Sequence, residues 1–321
     1  SKSSEAEVAG AQRVYKQRIN STRTLKKVFR AMELIAASRI GAARDAAQSS
    51  GPYNAALSRA VAAVASYSGL DHPITRERTD TNRVAVLVVT SDRGMAGAYS
   101  ATILREGERL IEHLVEEGKE PVIYTCGRRA QGYFSFRDRP VEKSWVGESD
   151  RPSAQMIDDI SATLLSTFLA KPEDGAVSEV HIVFTRFKTM VTQVPEVRRM
   201  LPLRVVDVEG PGELVREDVA ATQERFHAEE TAAMPLYEFE PSSAEVLNAL
   251  LPRYVASRIN DALLQSAASE LASRQRAMHT ATDNAEELIT TYTRLANAAR
   301  QGEITQEITE IVSGADALAG K

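Results

Sequence analysis

The stretch LQSAASELASRQRAMHTATDNAEELITTYTRLANAAR, residues 264–300, decides the fold. Along it Leu264, Ala267, Leu271, Arg274, Met278, Ala281, Ala285, Leu288, Tyr292, Leu295 and Ala299 recur at alternating spacings of three and four. Such a row winds down one side of an α-helix at the 3.5-residue period of a coiled coil. Only Arg274 departs from its small or apolar character, and a charge there is unfavourable unless a carboxylate pairs with it. No proline follows Pro252, so nothing in the stretch cuts the helix short. At a rise of ~1.5 Å per residue, a helix from Arg253 to the end of the chain would run roughly 100 Å, too far to be buried in one globule. A second helix or a partner must cover it.

Upstream, Ser242 and Glu245 form a Ser-x-x-Glu capping box, after which Val246, Leu247, Leu250 and Leu251 open the apolar face. Pro252 is expected to kink the helix near its start. Downstream of Ala299 the stripe shifts phase at Gln301 and Gly302 and resumes as Ile304, Ile308, Ile311, Ala315 and Leu318, a shift that changes the supercoil locally. At the other end of the chain, residues 12–48 are rich in helix formers. Leu25, Val28, Met32 and Ile35 repeat the three-four spacing there and predict a second coiled-coil strand. From Ala36 to Ala47 the side chains shrink, which lets two helices approach closely. Gly51-Pro52 is expected to end this helix, with Tyr53 to Ser68 forming a separate, shorter one.

The middle of the chain changes period. Val84 to Val89, Pro121 to Thr125 and Glu179 to Phe187 read as buried strands; Ala98 to Glu117, Gln131 to Arg137 and Ala154 to Ala170 read as helices. Alternation of this kind predicts a parallel, doubly wound sheet. Lys171 to Gly175 is a turn-rich connector, and the acidic segment Val208 to Glu229 carries no readable period. The expected divisions are residues 1–70 for the first helices, 71–240 for the α/β domain and 241–321 for the last helix.

The chain has 321 residues, a net charge of −5 and a single cysteine, Cys126, which excludes an internal disulfide and a Cys-rich metal site. It has no run of eighteen apolar residues and no leader-like start, so cytosolic synthesis without export is expected. Residues 11–50 carry nine Arg or Lys against Glu33 and Asp45, so the first helix is basic and faces something acidic. The turn Ser91-Asp92-Arg93-Gly94-Met95-Ala96-Gly97 sits where a phosphate loop would, but it lacks the G-x-G-x-x-G spacing, and no G-x-x-x-x-G-K-[ST] occurs. Gly94 and Gly97 then serve only to shape a tight turn. His72, His113, His181, His227 and His279 are scattered without a metal-binding spacing, and the adjacent Asp158 and Asp159 point to different helix faces. The Arg and Lys row of the first helix could bind nucleic acid, yet stacking aromatics are few there and acidic protein loops fit better. No catalytic residue, cofactor site or metal site is expected.

The residues Arg18-Ile19-Asn20-Ser21, Lys26-Lys27, Ala31-Met32-Glu33 and Ala36-Ala37-Ser38 resemble the N-terminal signature of the gamma-subunit family of F-type ATP synthases. Ser91-Asp92-Arg93-Gly94 resembles that family's central turn. Ala268-Ser269-Glu270, Ala281-Thr282-Asp283-Asn284-Ala285, Arg300-Gln301, Ile304-Thr305-Gln306-Glu307 and Glu310-Ile311-Val312-Ser313-Gly314-Ala315 resemble its C-terminal stretch, in order. The resemblance implies an α/β chain in which the first and last helices form a long antiparallel coiled coil beside a central Rossmann-like parallel-sheet domain. It implies a non-catalytic central-stalk rotor that couples proton-driven ring rotation to conformational change at the catalytic beta subunits. Alpha, beta, epsilon and c-ring subunits are the implied partners, and the membrane is reached only through the complex, on its cytoplasmic side. By position Arg300, Gln301 and Thr305 match a contact with a beta subunit, Met32 and Arg274 match positions tied to coupling, and Tyr237, Glu238 and Phe239 match the foot. The thiol control of chloroplast members needs a cysteine pair that this chain lacks.

Overall fold

The computed structural model describes residues 2–68, 72–203, 240 and 242–319, and the side chains of all of these except 2–11, 62, 65–68 and 316–319. The acidic segment from Val208 to Glu229 and the foot residues Tyr237, Glu238 and Phe239 lie outside the described residues. The chain divides into two compact units. One comprises the chain up to Ala37 together with the chain from Arg274 on; the other is Ser38–Ser273.

The second unit holds the sheet. In chain order its elements are β1 (Arg83–Val89), α2 (Tyr99–Glu116), β2 (Glu120–Cys126), α3 (Arg128–Phe136), β3 (Val141–Trp145), α4 (Ala154–Leu169), β4 (Glu179–Phe187) and β5 (Gln193–Leu201). To these it adds the later part of α1 (Lys2–Ser68) and the first part of α5 (Ser243–Ala319). The five strands lie in the order β3-β2-β1-β4-β5. Strands β1 to β4 pair in parallel, as the alternation predicts, but β5 returns antiparallel to β4. The sheet is mostly parallel, as expected, with one antiparallel strand added at its edge. A short hairpin at Thr189 to Thr192 joins β5 to its neighbour, so no crossover helix is needed.

Each face of the sheet is covered. Val84, Val86, Val88, Ile123 and Val183 pack with Ile103, Ile111 and Leu114 of α2 and Phe134 of α3. On the opposite face Ala85, Leu87, Tyr124, Ile182 and Phe184 meet Ile160, Leu164 and Phe168 of α4, and also Leu57, Val61 and Val64 of α1 and Leu251, Val255, Ile259 and Leu263 of α5. The later part of α1 and the first part of α5 therefore share the covering of that face with α4.

Two punctuation signals have different outcomes. The serine half of the capping box forms: the Glu245 N–H donates to the Ser242 hydroxyl at 3.3 Å. Gly51-Pro52 does not end α1, which runs through to Ser68, and Pro252 lies inside α5 in the same way. A proline inside a helix costs about 3 kcal/mol. Burial of Leu57, Val61 and Val64 beyond it returns about 1.5–3 kcal/mol for each side chain, so packing overrides the break. Gln48, Gly51 and Pro52 are exposed, which lets water satisfy the carbonyl that the proline leaves unpaired. The Ser257 hydroxyl of α5 donates to Asn54 Oδ1 just past the proline and holds the helix in place.

At the amino-terminal end of the sheet, Glu179 Oε2 lies 2.7 Å from His181 Nε2, and its Oε1 accepts from Lys119 Nζ at 2.7 Å. The His181 contact first, and Lys119 with it, outweigh burial and hold the Glu179 carboxyl down at about 2. Its contribution to stability is therefore complete above the usual carboxylate range and is lost as pH falls from there towards about 2. In urea unfolding, Glu179→Gln should abolish on the order of 2 kcal/mol of the acid-dependent loss seen in the parent chain; an unchanged acid limb would contradict the pairing. A second expectation concerns Pro52: Pro52→Ala restores an i→i−4 donor and should stabilise the Ser38–Ser273 unit by about 1–3 kcal/mol in the same assay, whereas no gain would mean the helix is interrupted there.

Candidate functional site

In an open α/β sheet the ligand crevice lies at the carboxyl ends of the strands, where the strand order reverses. Here that point falls between β1 and β4, because β2 and β3 extend from one side of β1 and β4 from the other. The β1–β4 ladder ends at the Val88–Val183 pair, so the next inward-facing backbone groups of β4 lose their strand partner. Helix α5 supplies replacements. The Thr185 N–H donates to the Ser266 hydroxyl at 3.3 Å, the Ser269 hydroxyl donates to the Thr185 carbonyl at 3.3 Å, and the Phe187 N–H donates to Gln265 Oε1 at 3.0 Å. From the α2 side the Tyr99 hydroxyl donates to the Ser266 carbonyl at 3.2 Å, and burial pushes its ionisation far up. Ser266 and Ser269 are fully buried. The crevice is filled by the protein itself.

The neighbouring anion position is filled as well. Gly127, at φ 98°, turns the chain from β2 into α3 and exposes that helix's first N–H groups. Asp92 occupies this place: its Oδ1 accepts from the Arg128 N–H at 3.1 Å and its Oδ2 from the Ser149 N–H at 2.9 Å. The Thr90 hydroxyl accepts from the Ala130 N–H at 2.9 Å. A carboxylate of the chain thus sits where a phosphate would be bound. Cys126 is buried, and burial pushes its thiol up to about 12, well away from nucleophilic character at neutral pH. Asp159 accepts from Trp145 Nε1 at 2.6 Å and Lys143 Nζ at 2.7 Å, which ties β3 to α4. Among the described residues no cluster of His, Cys, Asp or Glu could hold a metal ion.

The other unit is a pair of antiparallel helix segments. Tyr15 stacks on Tyr292 at 6.4 Å, Lys26 Nζ lies 3.1 Å from Glu286 Oε1, and Glu33 Oε1 lies 3.1 Å from His279 Nδ1, so rising numbers on α1 meet falling numbers on α5. The covered row on α1 is Gln12, Tyr15, Ile19, Thr22, Lys26, Phe29, Glu33 and Ala36, with an uninterrupted three-four spacing. It lies one residue away from the predicted row. Leu25, Val28 and Ile35 are each about half exposed, between 45% and 51%, and Met32 is half-buried. On α5 the covered row is Met278, Thr282, Ala285, Ile289, Tyr292, Ala296 and Ala299, continued by the half-buried Glu303 and Gln306. Leu288, Ile304, Ile308 and Ile311 are exposed, the last at 70%, and Ala315 is exposed too.

The correction has a physical cause. A helix with two neighbouring apolar rows shows the same period for both, so period alone does not say which row its own partner helix covers. What could have singled out the seam is its charge pairing. Glu33, though only 8% exposed, accepts from Arg30 Nη1 at 2.8 Å and is paired with His279; these contacts overcome the burial that opposes ionisation and lower its pKa. His279 Nε2 in turn lies 3.6 Å from Asp283.

Among the residues singled out by the sequence, Arg274 is buried on α5 at 5% exposure, and Arg300, Gln301 and Thr305 are exposed along the same helix. Asp92 was legible as part of a turn, though not as the residue that fills the anion position; its signal was a carboxylate where a phosphate loop would have glycine.

A family model described as ATP synthase matches residues 11–318. The ATP synthase gamma chain of Beutenbergia cavernae is 60% identical over 97% of this chain and 99% of its own length, and that of Acidothermus cellulolyticus is 56% identical over 96% and 98%. Among solved structures, a chain in the cryo-EM structure of Euglena gracilis mitochondrial ATP synthase with OSCP, F1 and c-ring shares the fold at a TM-score of 0.61 and 15% identity, over 97% of this chain and 95% of that one. With its ligand crevice filled from within and its likeness to these relatives running nearly end to end, this chain belongs to the ATP synthase gamma-chain family.

Proposed function

We propose that this chain is the central-stalk rotor of an F-type ATP synthase, a non-catalytic subunit that turns inside a catalytic head made of alpha and beta subunits. The observation that carries this reading is the 60% identity to a gamma chain over almost the whole of both chains. Two structural features support it. The crevice where a doubly wound sheet would bind a nucleotide is filled by Ser266, Ser269 and Tyr99, so nucleotide chemistry belongs to another subunit. The paired segments of α1 and α5 satisfy one another along a seam and turn Val14, Leu25, Val28, Leu34, Ile35, Leu288, Ile304, Ile308 and Ile311 outward. Exposed apolar residues in such number mark a surface that a partner covers.

The mechanism follows from what a single chain can present to three equal partners. A ligand shifts an equilibrium only through its differential affinity for the competing states. Two unlike helices, one basic and one ending in Glu303, Glu307 and Glu310, present different groups in different directions. Each catalytic beta subunit therefore meets a different surface, and rotation passes each surface to the next subunit. Torque enters at the foot, to which Tyr237, Glu238 and Phe239 are assigned, with epsilon and the c-ring as its partners. Arg300, Gln301 and Thr305 form a catch on a beta subunit, and Met32 and Arg274 hold the helices in the geometry that coupling needs. The membrane is reached through the complex, from its cytoplasmic side; among the described residues no helix is long and apolar enough to cross a membrane.

Expressed with the other subunits, the chain should copurify with alpha, beta and epsilon and show no ATPase activity by itself; a solitary chain that hydrolyses ATP would overturn the proposal. For the catch, replacing Arg300 and Gln301 together by Ala removes charge-assisted hydrogen bonds and should lower coupled ATP synthesis about tenfold. Both side chains are exposed, so the thermal midpoint of the chain should not move. Unchanged synthesis would remove the two residues from the catch.

A further inference from the structure

Between Ala37 and Leu57 helix α1 has little to hold it. Ile40 is the one buried residue among positions 38–56, and the apolar anchoring of this helix in the sheet core begins at Leu57. Two polar connections to other elements fall in this sparse stretch: near its far end Asn54 accepts from the Ser257 hydroxyl of α5, and near its start Arg39 Nη1 donates to Asp150 Oδ2 at 2.7 Å. Asp150 belongs to the loop between β3 and α4, and the residue before it points elsewhere. Ser149 and Asp92 form a reciprocal pair, the Asp92 N–H donating to the Ser149 hydroxyl at 2.8 Å and the Ser149 N–H to Asp92 Oδ2 at 2.9 Å. Asp92 also receives the first N–H of α3. Consecutive residues of one loop thus grip α1 on one side and the turn after β1 on the other.

The loop is itself held at both ends. Gly147 enters it at φ 102°, a conformation that a side chain would strain. Glu148 Oε2 accepts from the Ser153 N–H at 2.9 Å, the Arg151 N–H donates to the Glu148 carbonyl at 3.1 Å, and the Ser153 hydroxyl caps α4 by accepting from the Met156 N–H at 3.2 Å. A loop closed on itself by these bonds transmits displacement instead of absorbing it.

We propose that residues 146–153 are a brace, with Arg39–Asp150 as its outer joint and Ser149–Asp92 as its inner joint, which makes the weakly packed stretch of α1 follow the sheet when the sheet is turned. This rests on the rotor reading, and it names Arg39, Asp150 and Asp92 as positioning residues for torque transfer. The Arg39 guanidinium is half exposed, so the outer joint contributes little to folding and its effect lies in stiffness.

The assembled complex in sealed vesicles provides the test, with ATP hydrolysis and ATP-driven proton uptake measured together. Pumping by the parent complex tests the rotor reading alone; its failure would sink that reading and leave the brace without meaning. Given pumping, Arg39→Asp should lower proton uptake per ATP hydrolysed about two- to fivefold while hydrolysis persists. Asp150→Arg should do the same, and the two together, which rebuild the pair with reversed charge, should restore the ratio. Should either reversal prevent assembly, the neutral Asp150→Asn variant takes its place and should show a smaller loss in the same ratio. Equal ratios in parent and variants, or a double variant no better than the singles, would overturn the brace.

Discussion

The unit that holds the sheet depends on one substitution of hydrogen-bonding partners: where β1 stops, side chains of α5 take over as partners of β4. Thr185 and Phe187 present backbone groups that a longer β1 would have paired, and a buried unpaired group of this kind costs roughly 1–3 kcal/mol. Ser266, Gln265 and Ser269 meet those groups one by one. Helix α5 is thereby fixed to the sheet in position along its own axis as well as in distance, which apolar packing alone does not achieve. One set of bonds both anchors the helix and occupies the strand ends where this architecture elsewhere binds nucleotides.

The helix pair obeys a different rule. Its seam interleaves apolar residues such as Ile19, Phe29 and Met278 with the polar Glu33, Lys26, Thr22 and Thr282, whereas Leu25, Val28, Ile304 and Ile311 face outward. A seam of leucines would be more stable but would tolerate sliding by a heptad, because one apolar layer resembles the next. Paired charges at Glu33–His279 and Lys26–Glu286 match only in one register. Part of the stabilisation that burial would supply is exchanged for a defined alignment and for apolar surface offered to partners.

Much of this was legible in the sequence. The limits of β1, α2, β2, α4 and β4 fall within about two residues of those read from period and punctuation, since each buried strand is a continuous apolar run and each helix has a clear face. Strand β5 escaped because Arg198 and Arg199 interrupt its pattern; in the structure they pair with Glu196, Asp261 and Glu77. Strand β3, Val141-Glu142-Lys143-Ser144-Trp145, escaped because an edge strand is largely polar. The break expected at Pro52 was a correct local preference overridden by distant packing. On α1 the seam lies one residue from the row read from the sequence, because two rows share a period, whereas on α5 the row read from the sequence is largely covered, Leu288 being its exposed member. Of the candidate functional residues, the exposed Arg300, Gln301 and Thr305 and the buried Arg274 could be located on their helix from sequence, but nothing local announces which row of a long helix meets a partner.

The two solutions divide the work of a chain that must be rigid at one place and selective at another. Near the sheet, α1 and α5 share one apolar core with four parallel strands, so Leu57, Val61, Leu251 and Ile259 cannot move without opening it. Protein interiors are packed as densely as crystals of small molecules and yield little under load. Along the paired segments, large apolar groups are instead left on the surface, where their burial can favour whichever neighbour offers a matching shape. A shaft with every apolar group inside would turn freely and signal nothing. One whose groups all faced outward would not remain a helix pair. Placing the second apolar row one residue from the seam satisfies both demands on the same helix, because one residue is about 100° of rotation, enough to reach a partner without leaving the seam.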